Sequence, residues 1–178
     1  MNDLLGRFWA IIFGCIIIFY TPMLIITLKQ DTMAQSIIDN AAVEFVDNSV
    51  AAGNFSIESY YEFLDNVNKA GTPCDITIVH TSSVMYAQEK ILGYAADGTP
   101  LISYDVAKTQ IDHGTEEVLT ALIRNDFYDM KQGDYFKVTI KNAHPTLGSQ
   151  LLGLISKGGS QRTLFTSYGS AVGNKKQL

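Results

Sequence analysis

The sequence predicts an α+β protein in which a long N-terminal transmembrane helix continues into a head domain with an antiparallel β-sheet and short helices. Three observations predict this class. An uncharged apolar run extends from Phe8 to Leu28, and apolar residues at three- and four-residue steps continue beyond it to Val50. After Cys74 the apolar period changes from helical to alternating. Helices and strands that do not repeat as β-α-β units favour α+β over a doubly wound α/β fold.

The apolar run has the length that a membrane-spanning helix needs. At about 1.5 Å per residue, Phe8–Leu28 covers a hydrocarbon core of about 30 Å. A cleaved signal is the alternative, but its apolar region is usually about 7–15 residues and precedes a small-x-small cleavage site. Residues 29–34 offer only a poor site of that kind. We therefore expect a retained anchor with its short N-terminal flank, which carries Arg7, inside the cell and the head domain outside the cytoplasm.

The apolar period continues the helix well beyond the run. No glycine or proline lies between Lys29 and Ala52, so we predict one helix over about residues 3–51 that ends at Gly53-Asn54. The chain then has two predicted domains, the helix at 1–52 and the head at 53–178.

Two residues mark a weak stretch inside the apolar run. Pro22 removes one backbone hydrogen bond, and Gly14 lies about two turns earlier. The stretch between Gly14 and Pro22 is therefore a candidate for local unwinding. An ordinary proline kink, which membrane helices tolerate, is the alternative.

The head is expected to alternate short helices and strands. Ser56 is a good N-cap for a helix that carries its apolar stripe from Ile57 to Val67. The remaining predicted elements are strands at 75–80 and 101–106, a helix at 116–124, a strand at 135–141, an apolar segment of helical character at 147–155 and a strand at 162–168. Residues 83–98 are ambiguous between strand and loop, and residues 169–178 are expected to be frayed.

Composition excludes several classes of function. Charged residues make up 17% of the 178 residues, and the net charge is −5. Such a chain without basic clusters is a poor ligand for nucleic acid, so no nucleic-acid partner is expected. Cys15 lies in the apolar run and Cys74 in the head, so we expect no disulfide within one chain.

No catalytic, metal or cofactor motif is present in the sequence. The histidines at 80, 113 and 144 lack the spacing of metal ligands, and no phosphate-binding loop or nucleophile motif occurs. Asp112-His113 with Ser82, Ser83 or Ser103 imitates a catalytic dyad and nucleophile. Such sets arise easily in any domain, so the prediction is no enzyme, no cofactor and no metal. Glu116 and Glu117 are explained by favourable charge at a helix N-terminus.

Three stretches carry a resemblance to a known family. The first is the helix continuation at 32–47 (TMAQSIIDNAAVEFVD). The second is 60–65 (YYEFLD) with Ala70-Gly71 and Asp75-Ile76 downstream, and the third is 132–136 (QGDYF) with 146–148 and 167–169 after it. Together with the apolar helix, they resemble the pilin-like proteins of Gram-positive bacteria, related in plan to type IV and tight-adherence (TadE-like) pilins.

This resemblance implies a structural subunit of an extracellular pilus-like filament, used for instance in cell adhesion. The subunit would reside in the bacterial cell membrane before assembly, where its partners are lipid and the pilus assembly or secretion machinery, and then form a helical homopolymer on the cell surface. The alternative is a membrane-anchored extracytoplasmic module that does not polymerise, such as a minor pseudopilin or a component of a secretion or uptake machine. An anchored surface enzyme is a third hypothesis.

The resemblance also assigns roles to residues of the apolar run. In type IV pilins a helix segment between a glycine and a proline melts in the filament, and Gly14 and Pro22 stand at the matching places. Small residues at 10, 14 and 21 offer a self-packing face. The N-terminal flank differs from type IV pilins at Leu5, where those proteins carry an acidic residue. The predicted self-assembly and membrane residues are Phe8, Trp9, Ile12, Gly14, Ile16, Phe19, Pro22, Leu24, Ile26 and Leu28.

Overall fold

The computed structural model describes residues 2–94, 99–155 and 163–173. Along these ranges the chain forms four helices and six strands. In chain order they are α1 Asn2–Ala52, β1 Asn54–Ser56, α2 Ile57–Asn68, β2 Cys74–Tyr94, β3 Pro100–His113, α3 Thr115–Asn125, β4 Phe127–Asp129, β5 Tyr135–Asn142, α4 Leu147–Ile155 and β6 Phe165–Ala171.

Helix α1 confirms the predicted long N-terminal helix. It is continuous from Asn2 to Ala52 and passes through Gly14 and Pro22 without a break. Gly53 follows with φ +69°, the left-handed conformation in which glycine ends a helix at little cost. By length and composition α1 could cross a membrane, and only 6% of its most apolar 18-residue stretch is buried. That part of α1 is therefore not the core helix of a folded domain.

The strands form an antiparallel arrangement that confirms the α+β layout. A four-stranded sheet has the order β3-β2-β5-β6, and β1 pairs with β4 in a separate two-stranded sheet. Strands β2 and β3 make one antiparallel hairpin whose register runs from His80 opposite His113 to Tyr94 opposite Pro100. The register shifts between Ile91 and Gly93.

The chain divides into two compact units, and α1, α2, β2, β5 and β6 contribute residues to both. Unit 1 comprises Met1–Ala42, Glu62–Ile76 and Thr139–Thr166, and unit 2 comprises Val43–Tyr61, Thr77–Val138 and Ser167–Leu178. The buried apolar residues of unit 1 are Ala34, Ile38, Ala41, Ala42, Phe63, Val67, Ile140 and Leu164.

Unit 2 has an aromatic core. The ring of Phe45 on α1 lies 5.3 Å from that of Phe55 and 5.9 Å from that of Phe136, measured between centroids. The other buried apolar residues are Val46, Val50, Ile78, Val118, Leu122, Met130, Val138 and Val172. The apolar stripe of α1 beyond residue 42 thus supplies one wall of this core.

Several predicted strands differ from the structure. The ambiguous segment is strand through Tyr94, and the strand predicted at 101–106 extends to His113. The last strand is Phe165–Ala171, so the expectation of fraying at 169–171 is wrong. Strand pairing explains these differences, because hydrogen bonds to a neighbouring strand order residues whose side chains show no alternation. Residues 95–98 and 174–178 lie outside the described ranges.

Candidate assembly and membrane surface

The apolar run of α1, in unit 1, presents most of its large side chains outward. Phe19 is 78% exposed. The predicted residues Phe8, Trp9, Ile16, Pro22 and Ile26 are also exposed, whereas Ile12, Gly14, Leu24 and Leu28 are half-buried. Burying one large apolar side chain is worth about 1.5–3 kcal/mol. A row of such side chains in water is therefore unfavourable, which makes this segment a candidate surface for contact with lipid or with other protein.

The same helix changes character farther along unit 1. Ile38 is fully buried, and Ala34 and Ala41 on the same face are buried with it. These positions are separated by the three- and four-residue steps of one helical face. Between residues 4 and 42, α1 therefore passes from an outward apolar surface to an inward apolar stripe.

A small-residue face lies within the outward segment. Ala10, Gly14 and Thr21 share one side of the helix because they are spaced by four and seven residues. A Cβ atom added at Gly14 would meet nothing within 4 Å. The fold of a single chain therefore does not require glycine there, whereas close packing of helices from separate chains favours small residues.

Polar residues hold the next turns of α1 to the rest of unit 1. Asp31 accepts a hydrogen bond from the Thr146 hydroxyl at 2.7 Å. The Gln35 amide donates to the Phe165 carbonyl at 3.0 Å and to Asp39 at 2.7 Å. Thr166 also donates to Asp39. The sequence predicted no role for these positions, although their four-residue spacing places them on one face of the helix.

Unit 2 encloses a polar cluster around Asp134, which is buried. The Asp134 carboxylate accepts from the amides of Ser83 at 3.0 Å and Lys131 at 2.8 Å, and lies 3.0 Å from His80 Nε2. Burial alone would raise the pKa of Asp134, but these hydrogen bonds outweigh it and hold the pKa below its ordinary value. His80 Nε2 then donates to the ionised carboxylate.

The other ring nitrogen of His80 completes the cluster. Nδ1 lies 2.7 Å from the Tyr128 hydroxyl. Burial, with Glu117 and Asp134 nearby, raises the pKa of Tyr128 to about 12. Tyr128 therefore stays protonated at neutral pH, and its hydroxyl can donate a hydrogen bond to Nδ1 of His80. These hydrogen bonds fix β2 to the β4–β5 segment, where Tyr128 and Asp134 lie, although the buried hydroxyl of Ser83 has no hydrogen-bond partner among the described residues.

A second histidine brings a serine and a carboxylate together. His113 Nε2 lies 3.0 Å from Ser82 Oγ, and Nδ1 lies 2.7 Å from Glu117 Oε1. This order of groups is that of a serine nucleophile, its base and the orienting carboxylate. The orienting partner is Glu117 rather than the neighbouring Asp112, which instead accepts from the Thr81 hydroxyl at 2.6 Å.

The surroundings of Ser82 favour a structural role for this contact. A serine nucleophile needs hydrogen-bond donors for the oxyanion, commonly including a nearby backbone amide. The amide of Ser83 is already engaged by Asp134. Ser82 also lies in the paired hairpin, opposite Ile111. The contact therefore ties the base of the hairpin to the first turn of α3. Ser103 lies elsewhere on the hairpin, opposite Lys90.

The β2–β3 hairpin of unit 2 carries a further apolar surface. Cross-strand partners share one face of a hairpin, and one face combines Met85, Ala87, Ile91, Ile102, Tyr104 and Val106. Five of these are large side chains that are 45–69% exposed. Glu89 and Lys108 lie on the same face, so this apolar stripe is bordered by two charged side chains, and it is a candidate surface for contact with another molecule.

Neither the arrangement of potential metal ligands nor the comparison with known proteins identifies a function for this chain. Within the part of the chain that the structure describes, no group of three His, Cys, Asp or Glu residues is placed to hold a metal ion. No family model, curated protein or solved structure matches this chain. A proposal for function therefore depends on the exposed apolar surfaces and on the contacts that position them.

Proposed function

We propose that this protein is a structural subunit of an extracellular pilus-like filament that assembles through the apolar N-terminal part of α1. The observation that carries the proposal is the change along α1, from large apolar side chains exposed at 4–26 to an apolar stripe buried from residue 34. Lipid covers the exposed part before assembly. Neighbouring copies of the same helix cover it afterwards, since apolar side chains are equally well accommodated by either.

The hairpin favours a filament over the anchored module that does not polymerise. Lipid around α1 is sufficient for an anchor and does not by itself supply a partner for the apolar stripe of the hairpin. A polymer offers a second surface to cover that stripe, which exposes Met85 and Val106 at 69% each. An oligomer with a head-to-tail contact grows as an open helical array when the contact does not close into a ring.

Electron microscopy of sheared surface material from the native cells, with mass spectrometry of the filaments, tests the proposal directly. We expect filaments built of this chain and peptides from residues 1–28 within them. Recovery of the chain only from the detergent-soluble membrane fraction, as a monomer or small complex, would favour the anchored module. Filaments lacking residues 1–28 would contradict assembly through α1.

A single substitution in the small-residue face tests whether α1 packs on neighbouring copies or serves only as a membrane anchor. Gly14→Leu keeps the run apolar, so membrane insertion is expected to be normal. The added side chain blocks close helix packing, and we expect filaments to be lost. Ile16→Leu, which conserves side-chain volume within the same run, is the control and should leave filaments intact. Normal filaments from Gly14→Leu would remove the proposed self-packing role of this face.

A further inference from the structure

Helix α4 packs on α1 within unit 1 through small and polar residues. Thr146 and Ser149 are buried, and their hydroxyl oxygens lie 3.0 Å apart. Thr146 also donates to Asp31. Gly148 approaches α1 so closely that a Cβ atom there would collide with the Asp31 carboxylate. The buried residues at this contact are small or polar, Leu151 and Leu152 are half-buried, and the exposed residues of α4 are Leu147, at 65%, Gln150 and Gly153.

The turns of α1 that face α4 also bury a polar side chain and expose apolar ones. Thr27 is buried, and its hydroxyl donates to the carbonyls of its own helix at Met23 and Leu24, both at 3.0 Å. Ile25 and Ile26 beside it are exposed. Folded domains in water normally bury the apolar residues and expose the polar ones. Helices that pack in lipid place small and polar residues between them and large apolar residues outward.

The contacts also show how deep α4 reaches along the apolar run. Thr146, just before α4, contacts Asp31, and midway along α4 the Leu151 carbonyl accepts from the Tyr20 hydroxyl at 2.5 Å. Helix α4 therefore runs antiparallel to α1. Tyr20 lies eight residues inside the end of the run at Leu28, which is about 12 Å along a helix. Helix α4 thus lies beside the run itself, and its sequence LGSQLLGLI has no charge.

We propose that α4 is a second membrane-embedded element, which lies against lipid acyl chains in the half of the bilayer that borders the C-terminal end of the apolar run. This inference rests on the proposed anchoring of α1. Nine residues of helix extend only about 14 Å, so α4 enters the bilayer without crossing it. The hydrogen bond from Tyr20 to Leu151 satisfies both polar groups away from water.

Tryptophan fluorescence in vesicles tests the inference. The full chain is reconstituted in phosphatidylcholine vesicles whose acyl chains carry bromine at defined depths. Trp9 is the chain's only tryptophan. Leu147→Trp is made in a Trp9→Phe background, and Phe165→Trp in the same background is the control. Phe165 belongs to unit 1, is also exposed, and contacts Gln35, seven residues beyond Leu28.

We expect emission from Leu147→Trp to be shifted to shorter wavelength and largely lost with brominated acyl chains, and emission from Phe165→Trp to resemble tryptophan in water. Gln150→Trp, a second exposed site on α4, should behave like Leu147→Trp. If both α4 variants emit and resist quenching as Phe165→Trp does, the inference is overturned. Quenching of Trp9 in the wild-type chain distinguishes failure of this inference from failure of the proposed anchoring of α1, because an unquenched Trp9 overturns the anchoring as well.

Discussion

Asp134 is a buried carboxylate surrounded by hydrogen-bond donors in unit 2. Its contribution to stability can be tested by replacing one carboxylate oxygen with an amide nitrogen. Asp134→Asn keeps the shape but removes the charge and replaces one acceptor oxygen with a donor. We expect the free energy of unfolding to fall by about 1–3 kcal/mol, because buried donors lose their acceptor. Urea unfolding of the full chain in detergent micelles measures this. Asp129→Asn, at an exposed position, should change it by less than about 0.5 kcal/mol.

The lowered pKa of Asp134 predicts the pH dependence of this stability. The folded-state pKa lies below the ordinary value of 3.8. The ionised carboxylate therefore stabilises the fold above that value, and the contribution is lost as the pH falls through the folded-state pKa. We expect the difference between wild type and Asp134→Asn to be constant near neutral pH and to shrink on acidification. A difference that grows on acidification would contradict the assignment.

Gly53 ends α1 in a conformation that other residues adopt only at a cost. Its φ of +69° places a Cβ atom too close to the following carbonyl. Gly53→Ala should lower the free energy of unfolding by about 1–2 kcal/mol. Gly173→Ala, at an exposed site without a positive φ, is the control. Equal effects of the two substitutions in thermal unfolding would show that the left-handed cap has no special role.

At the scale of elements, local signals were enough to predict the helices. The apolar period of α1 and the glycine after it gave its limits to within one residue at each end. The apolar segment of helical character at 147–155 coincides with α4, and α3 was predicted to within one residue at each end. The serine N-cap of α2 is also observed, since the Ser59 amide donates to Ser56 Oγ at 3.2 Å. In each case the determining residues lie within a few turns of one another.

Strands and contacts that depend on distant partners were not predictable in this way. Strands β1 and β4 have three residues each, and Asn54 finds Asp129 only in the folded chain. The outward apolar surface of α1 followed from its composition alone. The hydrogen bonds that hold Asp31 and Gln35 of α1 to the rest of unit 1 could not be predicted in this way. Their partners, Thr146 and Phe165, are more than a hundred residues away in the sequence.

A substitution at Pro22 tests whether filament assembly requires a bend in the apolar run. In this structure α1 passes through Pro22 as a continuous helix, so unwinding of the stretch from Gly14 remains a prediction for the assembled state. Pro22→Ala adds a backbone donor and should stiffen the helix. We expect altered filament yield or geometry in electron micrographs, with an unchanged far-UV circular dichroism melt. Met23→Ala, at the adjacent exposed position, is the control. Filaments identical to wild type would exclude a role for the kink.

At the scale of the whole chain, the proposed membrane insertion and assembly depend on the uncharged length of the run. Ile17→Lys places a charge near the middle of the run, which costs about 2.5–3.5 kcal/mol on insertion scales. We expect the variant to be lost from the carbonate-resistant membrane fraction and to form no filaments. Met33→Lys, also at an exposed position of α1 but beyond Leu28, should insert normally. Wild-type filaments from Ile17→Lys would contradict burial of this segment.

The position of Phe45 in the chain imposes an order of events during synthesis. Its ring packs on that of Phe136, which leaves the ribosome about ninety residues later, or roughly 5–20 s at usual elongation rates. During that interval the apolar stripe of α1 beyond residue 42 lacks most of its core. Under the proposed anchoring of α1, the apolar run has by then emerged and is received by a membrane or a chaperone. Synthesis of this protein would then couple insertion of the run to delayed closure of a core completed only by Val172.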